Sequence, residues 1–284
     1  TPVIRCLKEQ LKNAELHYAT KARFSSVLKE NPYIDQLHLF NNSVKDIIPV
    51  LKKEKFDLVI DLHHNLRSLQ VKSALKCPSV SFDKLNLKKW AMVNLKLNRL
   101  PDLHIVDRYL KTTEHLGVQN DHKGLDYFIA KEDEVEIKSF LPNNFQNGFH
   151  ALVAGGSYFT KQIPANKIKE IIELSDLPIV LLGGKEEQDS AEKIASIFSG
   201  KAFNACGKLS LNQSASIIKQ ANKVISSDTG LMHIASAYKK EIHSLWGNTI
   251  KEFGMYPYLP GEGSKIHEIS GLKCRPCSKL GYKK

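Results

Sequence analysis

The chain has 284 residues, of which 42% are hydrophobic and 25% are charged, proportions typical of a folded globular protein. Its net charge is +11, no apolar run approaches the roughly 20 residues that span a bilayer, and its five cysteines are scattered apart from Cys274 and Cys277. These features exclude a multi-spanning membrane protein and a disulfide-stapled secreted domain. The charge suits an acidic partner such as nucleic acid, an anionic membrane surface or a phosphorylated substrate, and selects none of them alone.

The first half of the chain alternates predicted strands and helices. Strands are predicted at 14–20, 34–40 and 56–62, helices near 22–30 and 43–53, and mostly helical structure at 84–118 with Gly117 as its C-cap. This alternation predicts βαβ units and a parallel sheet. A break follows at 140–149, where Pro142, three asparagines and Gly148 predict a linker or long turn.

The alternation of predicted strands and helices resumes after the break at 140–149. Strands are predicted in "FHALVAG", "LPIVLLGG", "KVISS" and "EIHSLWG", a helix begins at Pro164, and "KLSLNQSASIIKQA" is a helix in which Ser210 and Gln213 have capping-box spacing. We therefore predict two Rossmann-like α/β domains, at 1–141 and 148–284. Ligands of open parallel sheets bind beyond the carboxyl ends of the strands.

Small and polar residues follow four predicted strands of the second half. The segments are Gly155-Gly156-Ser157 with Lys161 beyond, Gly183-Gly184-Lys185-Glu186-Glu187, Ser227-Asp228-Thr229-Gly230 and Gly247-Asn248-Thr249. Because the carboxyl ends of parallel strands share one edge, these loops should converge on a nucleotide-type site. The chain has no Walker A motif and no G-x-G-x-x-G, which argues against a P-loop enzyme and a dinucleotide-dependent dehydrogenase.

The segment "VISSDTGLMHIASA" has two interpretations. Asp228 is a good N-cap for the helix that follows, and the open N–H groups of that helix start are also a ready anion site. His233 falls on the same helix face, one turn in, where it either joins the site or ties down a loop. Lys161 either offers a charge to phosphates or is a solvated lysine.

Several segments together resemble the ADP-heptose:lipopolysaccharide heptosyltransferases, glycosyltransferase family 9. They are "TPVIRCLKEQL", "DLHHNLRS", "GGSYFTKQIP", "GGKEEQ", "GKLSLNQSASIIKQA", "SSDTGLMHIASA" and "GNT" followed by "FGMYPY", in the family's order. The resemblance implies a GT-B fold, with two Rossmann-like domains whose parallel sheets face each other across a cleft. It also implies an inverting transfer that uses a nucleotide sugar as co-substrate, with no metal or other cofactor.

The resemblance also implies roles for individual residues. The implied donor-binding residues are Ser157, Lys161, Gly184, Glu187, Asp228, Thr229, Gly230 and His233, with Glu186 as the alternative to Glu187. Lys161 would also stabilise the leaving diphosphate. The implied acceptor-binding residues are Asp61, His64, Asn65 and Arg67, for which a strand end followed by a helix cap is the structural alternative.

The chain departs from the family pattern at three places. Ile163 stands where the family usually has an aromatic residue. In the family, the first strand and the Asp proposed as the general base come just before the segment that matches the "TP" opening this chain. We therefore expect that strand, that Asp and the family's closing helices to lie outside the sequence. Cys274 and Cys277 have ligand-like spacing, but one pair cannot complete a zinc site.

The resemblance implies transfer of a heptose or related sugar, from ADP-heptose as the expected donor, to a lipopolysaccharide-core acceptor. The expected setting is cytoplasmic, compatible with peripheral contact at the inner membrane, with no nucleic acid as partner. Two alternatives stay open at this stage: a non-catalytic protein that binds a nucleotide sugar or glycan, and a nucleotide-sugar epimerase of the same fold.

Overall fold

The computed structural model describes residues 1–156 and 158–282, and within them the chain forms an α/β structure. The α-helices, α1 to α10 in chain order, are Pro2–Gln10, Ile48–Lys53, Leu66–Leu75, Asn86–Leu95, Ile105–Leu110, Ile137–Phe140, Ala165–Leu174, Gln188–Ile197, Leu211–Gln220 and Gly230–Ala237. The strands, β1 to β10, are His17–Lys21, Gln36–Phe40, Val59–Asp61, Ser79–Ser81, His150–Val153, Ile179–Leu182, Ala202–Asn204, Lys223–Ser227, Glu241–Trp246 and Lys265–Glu268.

The chain is divided into two compact units. The first unit is Thr1–Asn86 with Leu103–Lys123, and the second is Leu87–Asp102 with Gly124–Lys284. The second unit therefore begins upstream of the boundary predicted at 141–148. The predicted linker packs into it, because Leu141 and Phe145 are buried in its core and the amide of Val135 donates to Ser216 Oγ at 2.8 Å.

The first unit contains two short parallel strand pairs, β1 with β2 and β3 with β4. Its helices are shorter than predicted: the segment predicted as a helix near 22–30 forms a 3₁₀ helix at Ala22–Val27. Arg5 on α1 is buried and forms a bidentate ion pair with Asp121, at 2.7 and 2.9 Å. This pair fastens the returning segment 103–123 to the start of the chain, and it holds the pKa of Asp121 down at about 2.

The second unit is built on a parallel six-stranded sheet with the order β10-β9-β8-β5-β6-β7. Neighbouring residues of a strand point to opposite faces: Val153 and Leu182 pack in one core, with Ile217 of α9 and Met232 of α10. Leu152 and Leu181 pack in the other, with Ile172 of α7 and Ile194 of α8. Both faces of the sheet are thus covered by helices, which leaves its strand ends as the accessible edge.

The second unit has the helix start at Pro164 and the capping box that the sequence predicted. Pro164 is the N-cap of α7, and Ser210 and Gln213 form a reciprocal capping box at the start of α9. In the described part of the chain, no helix is both long enough and apolar enough to cross a bilayer.

Candidate functional site

Four loops meet at the carboxyl edge of the second unit's sheet, as the sequence predicted. They follow β9, β8, β5 and β6, which are four consecutive parallel strands of the sheet. A Cβ added to Gly155, after β5, would lie 2.8 Å from the carboxylate of Glu187, after β6. A Cβ added to Gly247, after β9, would lie 3.6 Å from the carbonyl oxygen of Thr160. The loops after β5 and β6 therefore approach each other more closely than a side chain at Gly155 would allow, whereas a Cβ at Gly247 in the loop after β9 would be in ordinary van der Waals contact.

Lys161 and Asp228 form the central ion pair of this edge. Lys161 Nζ lies 2.5 Å from Asp228 Oδ2, and only 14% and 10% of the two side chains are exposed. Thr249 Oγ1, from the loop after β9, donates to the same carboxylate oxygen at 3.4 Å. The lysine head group is therefore held in one place by loops from three strands, and an ammonium carries three donors, so others stay directed elsewhere.

The N-cap of α10 is Thr229, which corrects the assignment of that role to Asp228. Thr229 has extended backbone angles and its Oγ1 accepts from Met232 N at 3.4 Å, while its hydroxyl also pairs with Ser226 Oγ at 3.0 Å. The helix accordingly begins at Gly230, where an added Cβ would meet no described atom within 4 Å. With the cap supplied by Thr229, the carboxylate of Asp228 is available to Lys161.

His233 lies one turn into α10 and is half-buried. Burial lowers its pKa, with an opposing effect from Asp228 and a reinforcing one from Lys161. The two charges act on the ring because the three side chains share one neighbourhood, and the lowered pKa favours the neutral imidazole.

Glu187 and Glu186 both line the cavity beside these loops, and they differ in exposure and in their contacts. Glu187 Oε2 accepts from the amide of Gly184 at 2.8 Å, closing the turn after β6, and Gln162 Nε2 approaches its other oxygen at 3.5 Å. Glu186 is exposed. Of the two adjacent acids, Glu187 is the one placed against the loop after β5.

A cavity of about 710 Å³ opens beside these loops, within the size range of small-molecule sites. Its lining includes the apolar side chains of Ile163, Ile168, Leu181 and Ile194 and the polar side chains of Glu187, Gln162 and Asn248. Ser157, predicted to bind the donor, lies outside the described residues.

The turn after β3 in the first unit is a closed hydrogen-bonded structure. Asp61 is buried and accepts from the amides of His63 and His64, at 3.0 and 2.6 Å, and its second oxygen lies 2.9 Å from Lys72 Nζ. Although burial opposes ionisation, these bonds lower its pKa to about 2. Asp61 therefore holds the turn through its own carboxylate.

The other three predicted residues of that turn differ in exposure. Asn65 is the N-cap of α3, accepting from the amides of Arg67 and Ser68. His64 has a left-handed backbone, with φ of 46°, and its Nδ1 lies 3.0 Å from the carbonyl oxygen of Phe82. Arg67 is exposed on the first turn of α3. The strand-end-and-cap alternative thus describes Asp61 and Asn65, and Arg67 is the accessible cation.

Three residues at this edge of the second unit were given no individual role from the sequence, although Asn248 and Thr249 belong to one of the loops expected to converge. Thr249 contacts Asp228, and Gln162 donates to the carbonyl oxygen of Gly156 at 3.3 Å. Asn248 lines the cavity, and its buried Oδ1 has no hydrogen-bond partner among the described residues. Their positions just after a strand, or next to Lys161, were the available signal. Cys277 is also fastened here, its amide donating to Asn248 O at 3.3 Å.

Comparison with known proteins places this chain in a family. The model of glycosyltransferase family 9 (heptosyltransferase) matches residues 45–280. Lipopolysaccharide heptosyltransferase 1 from Campylobacter coli is 26% identical over 273 residues, covering 87% of this chain and 79% of that protein. The predicted enzyme class, a glycosyltransferase, is thereby confirmed.

Two solved structures show the same fold. A family 9 glycosyl transferase from Veillonella parvula superimposes with a TM-score of 0.76 at 20% identity, covering 95% of this chain and 81% of that one. The Escherichia coli heptosyltransferase WaaC with ADP gives 0.69 at 19% identity, covering 98% and 91%. These neighbours confirm the GT-B fold class predicted from the sequence. The chain belongs to glycosyltransferase family 9, the heptosyltransferase family.

Proposed function

We propose that this glycosyltransferase moves a heptose from ADP-heptose to the core of lipopolysaccharide. The observation that carries the proposal is the Lys161–Asp228 pair beside the start of α10, at the same sheet edge as a cavity of nucleoside size. The names of the relatives support both substrates, since one is a lipopolysaccharide heptosyltransferase and another was solved with ADP.

The diphosphate is assigned to Lys161 and the first turn of α10. Transfer leaves negative charge on the departing ADP, and fixed positive groups aimed at that charge lower the barrier. Lys161 supplies a full charge, and the open N–H groups after Thr229 supply partial charges. Asp228 positions Lys161, and Gly230 leaves room for the phosphates. His233, neutral in this setting, is assigned to the rim of the same anion site.

The nucleoside is assigned to the cavity. Its apolar lining residues suit a purine, and the Glu187 carboxylate, which accepts from the amide of Gly184, suits the two hydroxyls of a ribose. Ser157 is assigned to the phosphates through its hydroxyl, on the family resemblance alone. No step of this assignment uses a metal, and a metal-free transfer stays a prediction.

The acceptor is assigned to the turn at 61–67 of the first unit, with Arg67 as its contact group. A guanidinium pairs well with the phosphates and carboxylates of a core saccharide. Asp61 is unsuited to deprotonating the acceptor, because a carboxylate with a pKa of about 2 is a weak base at neutral pH. Asp61, His64 and Asn65 are assigned to shaping the turn that presents Arg67.

Release of ADP by the full-length protein tests the function. With ADP-heptose and a lipopolysaccharide-core acceptor, ADP should appear only when both are present. Lys161→Ala should lower the rate at least tenfold, whereas Lys167→Ala should match the parent, because Lys167 is an exposed lysine paired with Glu170 on α7. Turnover of ADP-heptose without acceptor would favour an epimerase, and equal rates for both variants would remove Lys161 from the site.

We also propose that residues 87–100 contact the anionic face of the membrane that carries the acceptor. On α4, Leu87 and Trp90 are 84% and 57% exposed. The segment from 87 to 100 contains no acid and four basic residues, Lys88, Lys89, Lys96 and Arg99, of which Lys96 already donates to the carbonyl oxygens of Cys274 and Pro276. Apolar side chains interleaved with cations are typical of interfacial helices, and each cation near an anionic surface contributes about 1 kcal/mol.

Vesicle flotation tests this contact. The parent should float with phosphatidylglycerol-containing vesicles and stay unbound with neutral phosphatidylcholine. The double variant Leu87→Asn, Trp90→Ser should lose most of the binding, and Leu174→Asn should retain it, since Leu174 is equally exposed, at 87%, but lies on α7. Equal flotation of all three proteins would contradict the assignment to this segment.

A further inference from the structure

Two histidines and a glutamate converge in the first unit, on residues that the transfer reaction does not use. His17 lies on β1, His38 lies on the paired strand β2, and Glu54 caps the end of α2. One ligand-type atom from each lies within 4.8 Å of the other two. In the described part of the chain, no other group of three histidine, cysteine or acidic residues meets that distance.

The two imidazoles already point at each other. His17 Nδ1 lies 2.9 Å from His38 Nε2, and the strand register, which pairs His38 with Ala19, sets the two rings diagonally across the parallel pair. The histidine side chains are nearly inaccessible, at 7% exposure for His17 and 6% for His38. Glu54 is exposed, so the cluster has one side open to the solution.

The far side of the His17 ring is fixed by two contacts. Its Nε2 lies 3.0 Å from a carboxylate oxygen of Glu15, and the ring of Phe56 packs edge-on against it with centroids 5.0 Å apart. A histidine that binds a metal through one nitrogen usually donates its other N–H to a carboxylate, which fixes its tautomer and orientation. Glu15, His17 and the cluster have that arrangement.

We propose that His17, His38 and Glu54 form a binding site for a divalent transition-metal ion of the zinc class. Two imidazole nitrogens and one carboxylate oxygen are a donor set that zinc uses, with a fourth position left to solvent. Zinc–nitrogen bonds of about 2.0–2.1 Å place two ligand nitrogens about 3.3 Å apart, so the rings need to separate by only about 0.4 Å. The bound ion would tie β1, β2 and the end of α2 together, independently of the proposed transfer.

The second unit contains a natural control. His243 Nδ1 lies 3.0 Å from His267 Nε2, His243 Nε2 lies 3.1 Å from Glu241, and the register on β9 and β10 is the same diagonal one. This pair has no counterpart of Glu54 among the described residues, and Glu241 is also paired with Lys223. If two facing histidines and one flanking glutamate sufficed, both places would bind zinc equally.

Titration of the metal-free full chain with Zn²⁺, monitored by calorimetry, tests the proposal. The titration uses a Cys274→Ser, Cys277→Ser background, which removes the closely spaced thiol pair as a competing zinc ligand. One ion should bind per chain; Glu54→Gln should weaken binding at least tenfold, and Glu15→Gln by about 10–100-fold. The double variant His243→Ala, His267→Ala should bind as the background does.

A second measurement separates loss of the site from loss of the fold. Saturating Zn²⁺ should raise the Tm of the background protein, and Glu54→Gln should fold with the same circular dichroism spectrum while losing that rise. Absence of binding to the folded background protein would overturn the proposal. So would binding that Glu54→Gln leaves unchanged, or that disappears in the His243, His267 variant.

Discussion

Asp61 and Asp228 occupy comparable places in the two units and differ in what their carboxylates contact. Each lies at the carboxyl end of a parallel strand, just before a helix, and each is paired with a lysine whose side chain is 14% exposed. Asp61 also accepts from two backbone amides of its own turn. The hydrogen bonds of Asp228 within the described residues come from the side chains of Lys161 and Thr249, and Thr229 provides the helix cap. An acid after a strand is thus structural where it satisfies the turn, and available to a ligand site where a neighbour does so.

The largest expected effect is on folding, at Asp61. Asp61→Ala leaves Lys72 partly buried without its partner and two turn amides unsatisfied, so the free energy of unfolding should fall by about 3–5 kcal/mol. Urea denaturation measures it. Asp228→Ala should cost less stability than Asp61→Ala while weakening ADP binding. Equal losses of stability would break the distinction between the two aspartates.

The affinity for ADP should depend on Lys161, the partner of Asp228, and not on Lys72, the partner of Asp61. Lys161→Ala should weaken ADP binding by about 10–150-fold, because a bond to a charged group contributes about 1.5–3 kcal/mol. Adenosine, which lacks phosphates, should bind the variant and the parent alike in calorimetry. Lys72→Ala, at the structural pair, should leave the ADP affinity of the folded protein unchanged. A similar loss for adenosine and ADP would assign Lys161 a structural role.

The contribution of Asp61 to the free energy of unfolding should decrease as the pH falls from 5 to 2. Its folded pKa of about 2 lies below the ordinary value of 3.8, so the ionised form stabilises the fold above about pH 4, and that stability is lost as the pH falls toward 2. The difference in unfolding free energy between the parent and Asp61→Ala should therefore shrink by about 2 kcal/mol between pH 5 and pH 2. A difference that is constant across this range would contradict the assigned pKa.

The cap at Asn65 should have a smaller effect. Asn65→Ala removes the acceptor for two amides of α3 and should cost about 1 kcal/mol of unfolding free energy, while Asn65→Asp, which keeps an acceptor, should cost less. Thermal denaturation of the three proteins compares them. If Asn65→Ala is as stable as the parent, the turn is held by Asp61 alone.

The smallest expected change in stability is at Arg67, within about 0.5 kcal/mol, because its side chain is on the surface. The acceptor KM should nevertheless rise in Arg67→Ala, with binding of ADP-heptose unchanged. Steady-state kinetics with varied acceptor measure this. A folded variant with parental acceptor kinetics would remove Arg67 from acceptor binding and leave the 61–67 turn purely structural.

The sheet edge was predictable from the sequence because strand periodicity and the parallel rule are local signals. The loops after β5, β6, β8 and β9 converge as those rules require. The identity of the α10 cap was not predictable, because Asp228 and Thr229 are both good cap residues. The choice between them depends on Lys161, which is 67 residues away along the chain.

The boundary between the two units could not be predicted from local sequence composition either. The polar composition of 140–149 predicts a linker, yet Leu141 and Phe145 within it are buried in the second unit's core. Segment 87–102 reads as part of one long helical region, and only its packing separates it from the first unit. Clusters such as His17, His38 and Glu54 arise from strand register, which single-sequence patterns do not specify.

Because the chain crosses between the two units three times, proteolytic cleavage should not separate them simply. The backbone passes between the units at residues 86/87, 102/103 and 123/124, so no single cleavage frees either unit as one continuous piece. A fragment starting at Gly124 would lack Lys96, whose ammonium donates to the carbonyl oxygens of Cys274 and Pro276 at 3.0 and 2.8 Å. A protease nick near residue 123 should therefore leave both fragments co-migrating in size-exclusion chromatography until a denaturant is added.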